Sequence, residues 1–212
     1  MTMAYDPTDP LKHPYSIEQW LHLKRNATPH CVICNDVLSK RNEHNDRTTH
    51  FLHRGGSGCP TVESSGASYA YLKKLPRSNG ASAAVKKFVH DNVYGFFTRM
   101  RNWVEGLTWT EFLACCQQAS KLGVWDLIDL PNDLAVYVLL TCGEFPKSSY
   151  RKRAVFFFLE PNPTPGGFWM FPKERKRILY KVDVKNSSLE AKEIDFTLPK
   201  GKIINDVLQS LT

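Results

Sequence analysis

Cys31 and Cys34 lie two residues apart in C-V-I-C, and His50, His53 and Cys59 follow in the run T-H-F-L-H-R-G-G-S-G-C-P. The whole pattern reads C-x2-C-x15-H-x2-H-x5-C. Thiolates and imidazoles are soft donors, and a structural zinc ion takes four of them in a tetrahedron, usually as two close pairs. The C-x2-C turn delivers the first pair. Cys59 is expected as the third ligand, because thiolate binds zinc tightly and Gly55, Gly56 and Gly58 make a turn that can present it. His50 and His53 are three apart, so on a strand they face opposite ways and only one need bind. His53, nearer Cys59, is preferred for the fourth place, with His50 as the alternative. The imidazole left over is placed to hydrogen-bond around the site. A closed site of this kind is architecture rather than chemistry, so Zn2+ is expected as a structural cofactor.

The elements that must position these residues can be read in outline. Residues 1–15, with Pro7, Pro10 and Pro14, read as an extended arm. Ser16 with Gln19 makes a capping box that opens a short helix, with Ile17, Trp20, Leu21 and Leu23 as its buried stripe. Between the ligand pairs, S-K-R-N-E-H-N-D-R reads as a solvated hairpin tip or loop. Residues 63–82, rich in Ser, Gly and Ala, read as a linker. A helix is expected from Ala83 to Gly106, with apolar residues from Val85 to Val104 at three- and four-residue steps. Thr108 and Glu111 form a second capping box, opening a helix that buries Trp109, Phe112, Leu113, Cys116 and Leu122 and ends at Gly123. L-A-V-Y-V-L-L at 134–140 fits helix or strand.

After Pro146 the texture changes. A-V-F-F-F-L-E reads as a buried strand and F-W-M-F as a second short one. I-L-Y-K-V-D-V and E-A-K-E-I-D-F read as a hairpin around K-N-S-S, and the last residues as a short closing helix. The fold class is therefore α+β: a small N-terminal zinc module, a helical middle and a mainly antiparallel C-terminal sheet. The domain division is 1–27 for the arm and short helix, 28–70 for the zinc module and 83–212 for the α+β domain with its basic sheet.

The chain carries 28 Lys+Arg against 21 Asp+Glu, a net charge of +7. Residues 147–185 hold ten of the cations and three of the acids, so they account for the whole excess. Arg151, Lys152, Arg153, Lys173, Arg175, Lys176 and Arg177 are the candidate phosphate contacts. Trp169, Phe168, Phe171 and Tyr180 interleave with them, either as stacking surfaces or as core. The N-terminus lacks the apolar run of a signal peptide, and no apolar stretch is long enough to span a bilayer. These features point to a cytoplasmic protein with no membrane partner. In that compartment C-x2-C favours metal over disulfide. Cys115, Cys116 and Cys142 sit in apolar runs and read as core. Neither a nucleophile elbow nor a phosphate loop occurs.

The zinc segment resembles the N-terminal zinc-finger region of competence protein CoiA and its relatives, over about residues 28–70. The matching residues are Cys31-x2-Cys34, His50-Phe51-Leu52-His53 and Cys59-Pro60, with Glu63-Ser64 and Tyr69 or Tyr71 beyond. The resemblance implies bacterial or mobile-element DNA metabolism. It also implies a following nuclease-like domain of the restriction-endonuclease type, in which an acid and an acid-x-Lys triplet hold a divalent ion and activate water. The residues available for that role are Glu160, Asp183 with Lys185, and Glu190 with Lys192. His44, Asn45 and His50 superficially fit a His-Asn-His nuclease, but the Asp-His pair such a site needs is absent. The leading expectation is a zinc-containing nucleic-acid-binding protein, acting on DNA or RNA. The alternatives are a metal-dependent CoiA-like nuclease and a protein-interaction adaptor scaffolded by zinc.

Overall fold

A computed structural model describes residues 3–10, 12–41, 49–54, 59, 68–69, 72–73, 75–160, 167–169, 176–183 and 188–194, with the side chains at 188–189 excepted. The fold is α+β, with antiparallel sheets throughout. The N-terminal residues are not a free arm. β1 (Met3–Tyr5) pairs antiparallel with β2 (Pro14–Ser16) on one side and β3 (His30–Cys31) on the other. The strands are too short for a period-two pattern to register, which is why the sequence conceals them. Asp6 organises the turn between β1 and β2. Its carboxylate accepts from the Thr8 amide and hydroxyl at 2.9 and 2.7 Å and pairs with Lys24 at 3.1 Å.

α1 (Ile17–Leu23) starts directly from β2 through the Ser16–Gln19 capping box. Only Trp20 of the expected stripe is fully buried; Ile17 and Leu21 are half-buried and Leu23 is exposed. Trp20 meets Phe51 edge to face, with centroids 5.8 Å apart. β4 (Leu38–Arg41) and β5 (His50–His53) form the expected hairpin, with Leu38 opposite His53 and Arg41 opposite His50. Its tip, 42–48, lies outside the described residues.

The helix expected from Ala83 to Gly106 is two helices, α2 (Ala83–Asp91) and α3 (Val93–Arg101). Asn92 breaks it: its side-chain amide donates to the Phe88 carbonyl at 2.9 Å, competing with the helical ladder. α4 (Trp109–Lys121) opens with the Thr108–Glu111 box and is followed by Gly123 at φ 63°. It buries Phe112, Cys115, Cys116 and Ala119, while Trp109, Leu113 and Leu122 are only half-buried against the core. α5 (Ala135–Cys142) settles the ambiguous run as helix, buried on every side. The second half of the supposed linker is docked rather than free. Leu72 and Ser82 are buried, and the Arg77 guanidinium donates to the Leu72 and Leu122 carbonyls.

β6 (Val155–Leu159), β7 (Ile178–Asp183) and β8 (Ser188–Glu193) make an antiparallel sheet in that order. Alternate side chains leave opposite faces. Val155, Phe157, Leu159 and Leu179 enter the helical core. Phe156, Phe158, Ile178, Tyr180 and Val182 pack against Tyr5, Val32 and Ile33 of the N-terminal lobe. The sheet is thus a middle layer between helices and lobe, which explains why V-F-F-F-L is apolar throughout. Phe168 and Trp169 lie in a turn rather than a strand. The Trp169 ring is buried and its Nε1 donates to the Ile128 carbonyl at 2.8 Å. Met170, Phe171 and the expected closing helix lie outside the described residues. Among the described residues no helix is long and apolar enough to cross a membrane.

Candidate metal centre

The ligand turn starts at the end of β3. Cys31 is buried in that strand, and residues 32–34 form the tight turn that brings Cys34 back beside it. Backbone amides point at the sulfurs: Ile33 and Cys34 donate to Cys31 Sγ at 3.3 and 3.5 Å, and Asp36 donates to Cys34 Sγ at 3.5 Å. Such donors favour thiolate over thiol. β5 supplies the imidazole. Phe51 and His53 are buried on one face of this strand, whereas Leu52 is exposed on the other. His53, and not His50, therefore reaches the centre, as strand alternation requires.

The donor atoms of Cys31, Cys34, His53 and Cys59 all lie within 4.8 Å of one another. Cys31 and Cys59 Sγ are 3.8 Å apart, and Cys34 Sγ lies 4.0 Å from His53 Nδ1. A tetrahedron with zinc–sulfur bonds of about 2.3 Å has edges of about 3.8 Å. The arrangement therefore fits one metal ion, with His53 bound through Nδ1. Burial first, then hydrogen bonds to Cys34 and Cys59, pushes the Cys31 thiol far above its ordinary range. Three thiolates this close can be charged together only with a cation between them. The Tyr5 phenol is pushed up as well, by burial and then by the Cys31 and Cys34 sulfurs. Among the described residues this is the only group of three or more His, Cys, Asp or Glu side chains close enough to hold an ion.

The candidate catalytic residues do not come together. Glu160 follows β6, where its Oε2 accepts from the Ile178 amide at 3.0 Å. Asp183 is at the far end of β7, about 17 Å along the strand and on the opposite face. Glu190 stands opposite Lys181, 3.6 Å from its Nζ, and is exposed. Lys192 lies 4.8 Å from the Trp103 ring centroid. Lys185 lies outside the described residues. The acid–acid–lysine constellation expected for a nuclease is absent among the described residues, because the strand register separates Glu160 from the other two acids.

The candidate phosphate contacts divide. Arg177 is 1% exposed, with its guanidinium donating to the Glu160 carbonyl at 3.0 and 2.9 Å and lying 4.3 Å from the Phe168 centroid. Arg151 is 2% exposed. Its Nε donates to the Pro146 carbonyl at 2.9 Å and its Nη2 pairs with Glu111. Both are fastened internally, which a count of charges cannot distinguish from free surface cations, although Arg151 also lines a surface cleft. Lys152 is exposed. Arg153 is exposed and pairs with Asp183 at 2.7 Å, and exposed Lys176 pairs with Glu193 at 2.8 Å. Lys173 and Arg175 lie outside the described residues. Glu111 was legible as a helix cap but not as the partner of Arg151, since nothing in sequence links residues forty apart. No protein-family model matches the chain, nor does any curated protein or solved structure.

Proposed function

We propose that the protein is a zinc-containing nucleic-acid-binding protein whose ion is structural. The observation that carries the metal reading is the closed Cys3His set, whose donors lie within 4.8 Å of one another, two pairs at 3.8 and 4.0 Å being near the edge of a zinc tetrahedron. Four protein donors leave no open position for a substrate, so the ion fastens the lobe rather than catalysing. The cysteines outside the centre are unpaired thiols, which suits a reducing, cytoplasmic setting. Nucleic acid is supported by the confinement of the excess charge to 147–185 and by the exposure of Lys147, Lys152, Arg153 and Lys176 there. The CoiA-like spacing of the ligands agrees with a role in bacterial or mobile-element DNA metabolism.

Two measurements on one sample test the reading. Elemental analysis of protein purified without added metal should give one zinc per chain. Binding to labelled DNA should weaken with salt at a log–log slope of about 0.9 per duplex phosphate contact, and Lys147→Glu with Lys152→Glu and Lys176→Glu should flatten that slope. A folded, metal-free sample would refute the zinc assignment. Absence of binding to DNA and RNA at low salt would refute the nucleic-acid reading and favour the adaptor.

A further inference from the structure

The loop over 147–153 is held from within and presents its outer side. Arg151 anchors it to Glu111 and the Pro146 carbonyl. Ser148 Oγ accepts from the Tyr150 and Arg151 amides at 3.3 and 3.1 Å, and the Ser148 amide donates to the Arg151 carbonyl at 2.9 Å. Tyr150 is pinned at its base, because a Cβ on Gly106 would collide with the Tyr150 Cβ. Its side chain projects outward, 70% exposed, with the exposed cations Lys147 and Lys152 flanking it in the loop. Lone exposed aromatics are ordinary, but this one directly precedes Arg151, Lys152 and Arg153, which line a charged cleft.

The cleft has a volume of about 280 Å³ and is lined by the cations Arg151, Lys152, Arg153 and Lys181. Three carboxylates share it: Asp183 paired with Arg153, Glu190 facing Lys181, and Glu105 beside Gly106. Arg151 Nη1 is buried and has no hydrogen-bond partner. A buried guanidinium nitrogen without an acceptor is costly, and an anion seated in the cleft would supply one. The volume falls just below the about 300–1,000 Å³ of sites that enclose drug-sized ligands, so the cleft suits a group rather than a whole nucleotide.

We propose that this cleft takes one phosphate of a single-stranded nucleic acid, with Arg151 Nη1, Lys152, Arg153 and Lys181 around it, and that Tyr150 stacks on an adjoining base. The proposal rests on the nucleic-acid reading and narrows it. An exposed tyrosine next to the cleft-lining Arg151 can stack only on a base that is not paired within a duplex, so the arrangement selects single strands.

The test is fluorescence anisotropy with a labelled oligothymidylate and with a duplex of equal length. The full chain is compared with Tyr150→Ala, Tyr150→Phe and Lys152→Ala, each checked for metal content and circular dichroism. The single strand should bind more tightly than the duplex. Tyr150→Ala should weaken single-strand binding about tenfold, and Tyr150→Phe should restore it. Lys152→Ala should lower the salt slope by about 0.7. Equal binding of the two forms with Tyr150→Ala unchanged would overturn this proposal and leave general nucleic-acid binding intact. Binding to neither form at low salt would remove both readings. Displacement of the oligonucleotide by polyglutamate at equal charge concentration would also overturn it, in favour of an acidic protein partner.

Discussion

Removing the metal is expected to release the N-terminal lobe and leave the helical half folded. The lobe's own core is small: Ala4, Trp20, Leu38 and Phe51 beside the ligands Cys31 and Cys59. Burying a large apolar side chain contributes about 1.5–3 kcal/mol, so Trp20, Leu38 and Phe51 together supply roughly 5–9 kcal/mol. A structural zinc site contributes about 10–16 kcal/mol at neutral pH. An ion held by the Cys3His cluster would therefore outweigh the apolar core around it, whereas among the described residues no such cluster lies in the helical core. Cys59→Ser, or a chelator added with a thiol-reactive mercurial, should expose Phe156, Phe158 and Tyr180, which Tyr5, Val32 and Ile33 now cover. The assay is amide exchange, with dye binding to report the uncovered face. Protection should vanish in β1, β2 and β3 and persist in α4 and α5. A metal-free protein that keeps β1–β3 protected would refute the reasoning. So would loss of α5 protection in the same transition, since the two halves would then be one cooperative unit.

Gly106→Ala should cost about 2–4 kcal/mol in urea unfolding, combining left-handed backbone strain at φ 63° with the collision against Tyr150; parental stability would contradict the close approach. Hydrogen bonds from the Thr8 side chain and backbone, then Lys24, hold the Asp6 carboxyl below its ordinary range. Because the folded value is the lower one, that stabilisation is complete above about pH 4 and is lost as the pH falls below it. Asp6→Asn should therefore be less stable at neutral pH and lack this acid-linked step, as pH-dependent unfolding of the two proteins will show. Burial pushes the Cys116 thiol up to about 12, and burial is also the largest cause raising Cys115 and Cys142. All three should react slowly with thiol reagents in the native state, and rapid labelling before unfolding would refute their place in the core.

The Cys3His cluster was legible because donor chemistry is local: C-x2-C specifies a turn, strand alternation leaves room for one of His50 and His53, and nearness to Cys59 favours His53. Both capping boxes and the β7–β8 hairpin were legible for the same reason. What escaped was set by tertiary partners. Met3–Tyr5 becomes a strand only because Pro14–Ser16 and His30–Cys31 flank it. Asn92 carries no strong breaking signal inside an apolar repeat, yet its side chain divides the helix. Arg151 and Arg177 read as surface charge in the sequence because burial of a cation depends on a remote acceptor, Glu111 in one case and the Glu160 carbonyl in the other.

The sheet shared by helices and lobe has a consequence in time. The last of the four clustered donors, Cys59, is synthesised long before the strands that Val32 and Tyr5 cover. About 150 residues separate Val32 from Tyr180, which at roughly 5–20 residues per second is about 7–30 s of translation. With the proposed ion, the nascent lobe would thus close while the aromatic surface it will dock on does not yet exist. Until β6 and β7 emerge, Tyr5 and Val32 face solvent or a chaperone. A ribosome stalled before Val155 would display a metal-loaded lobe with a bare apolar patch, so arrest profiling along the chain should find that lobe captured early and released only once β7 is complete.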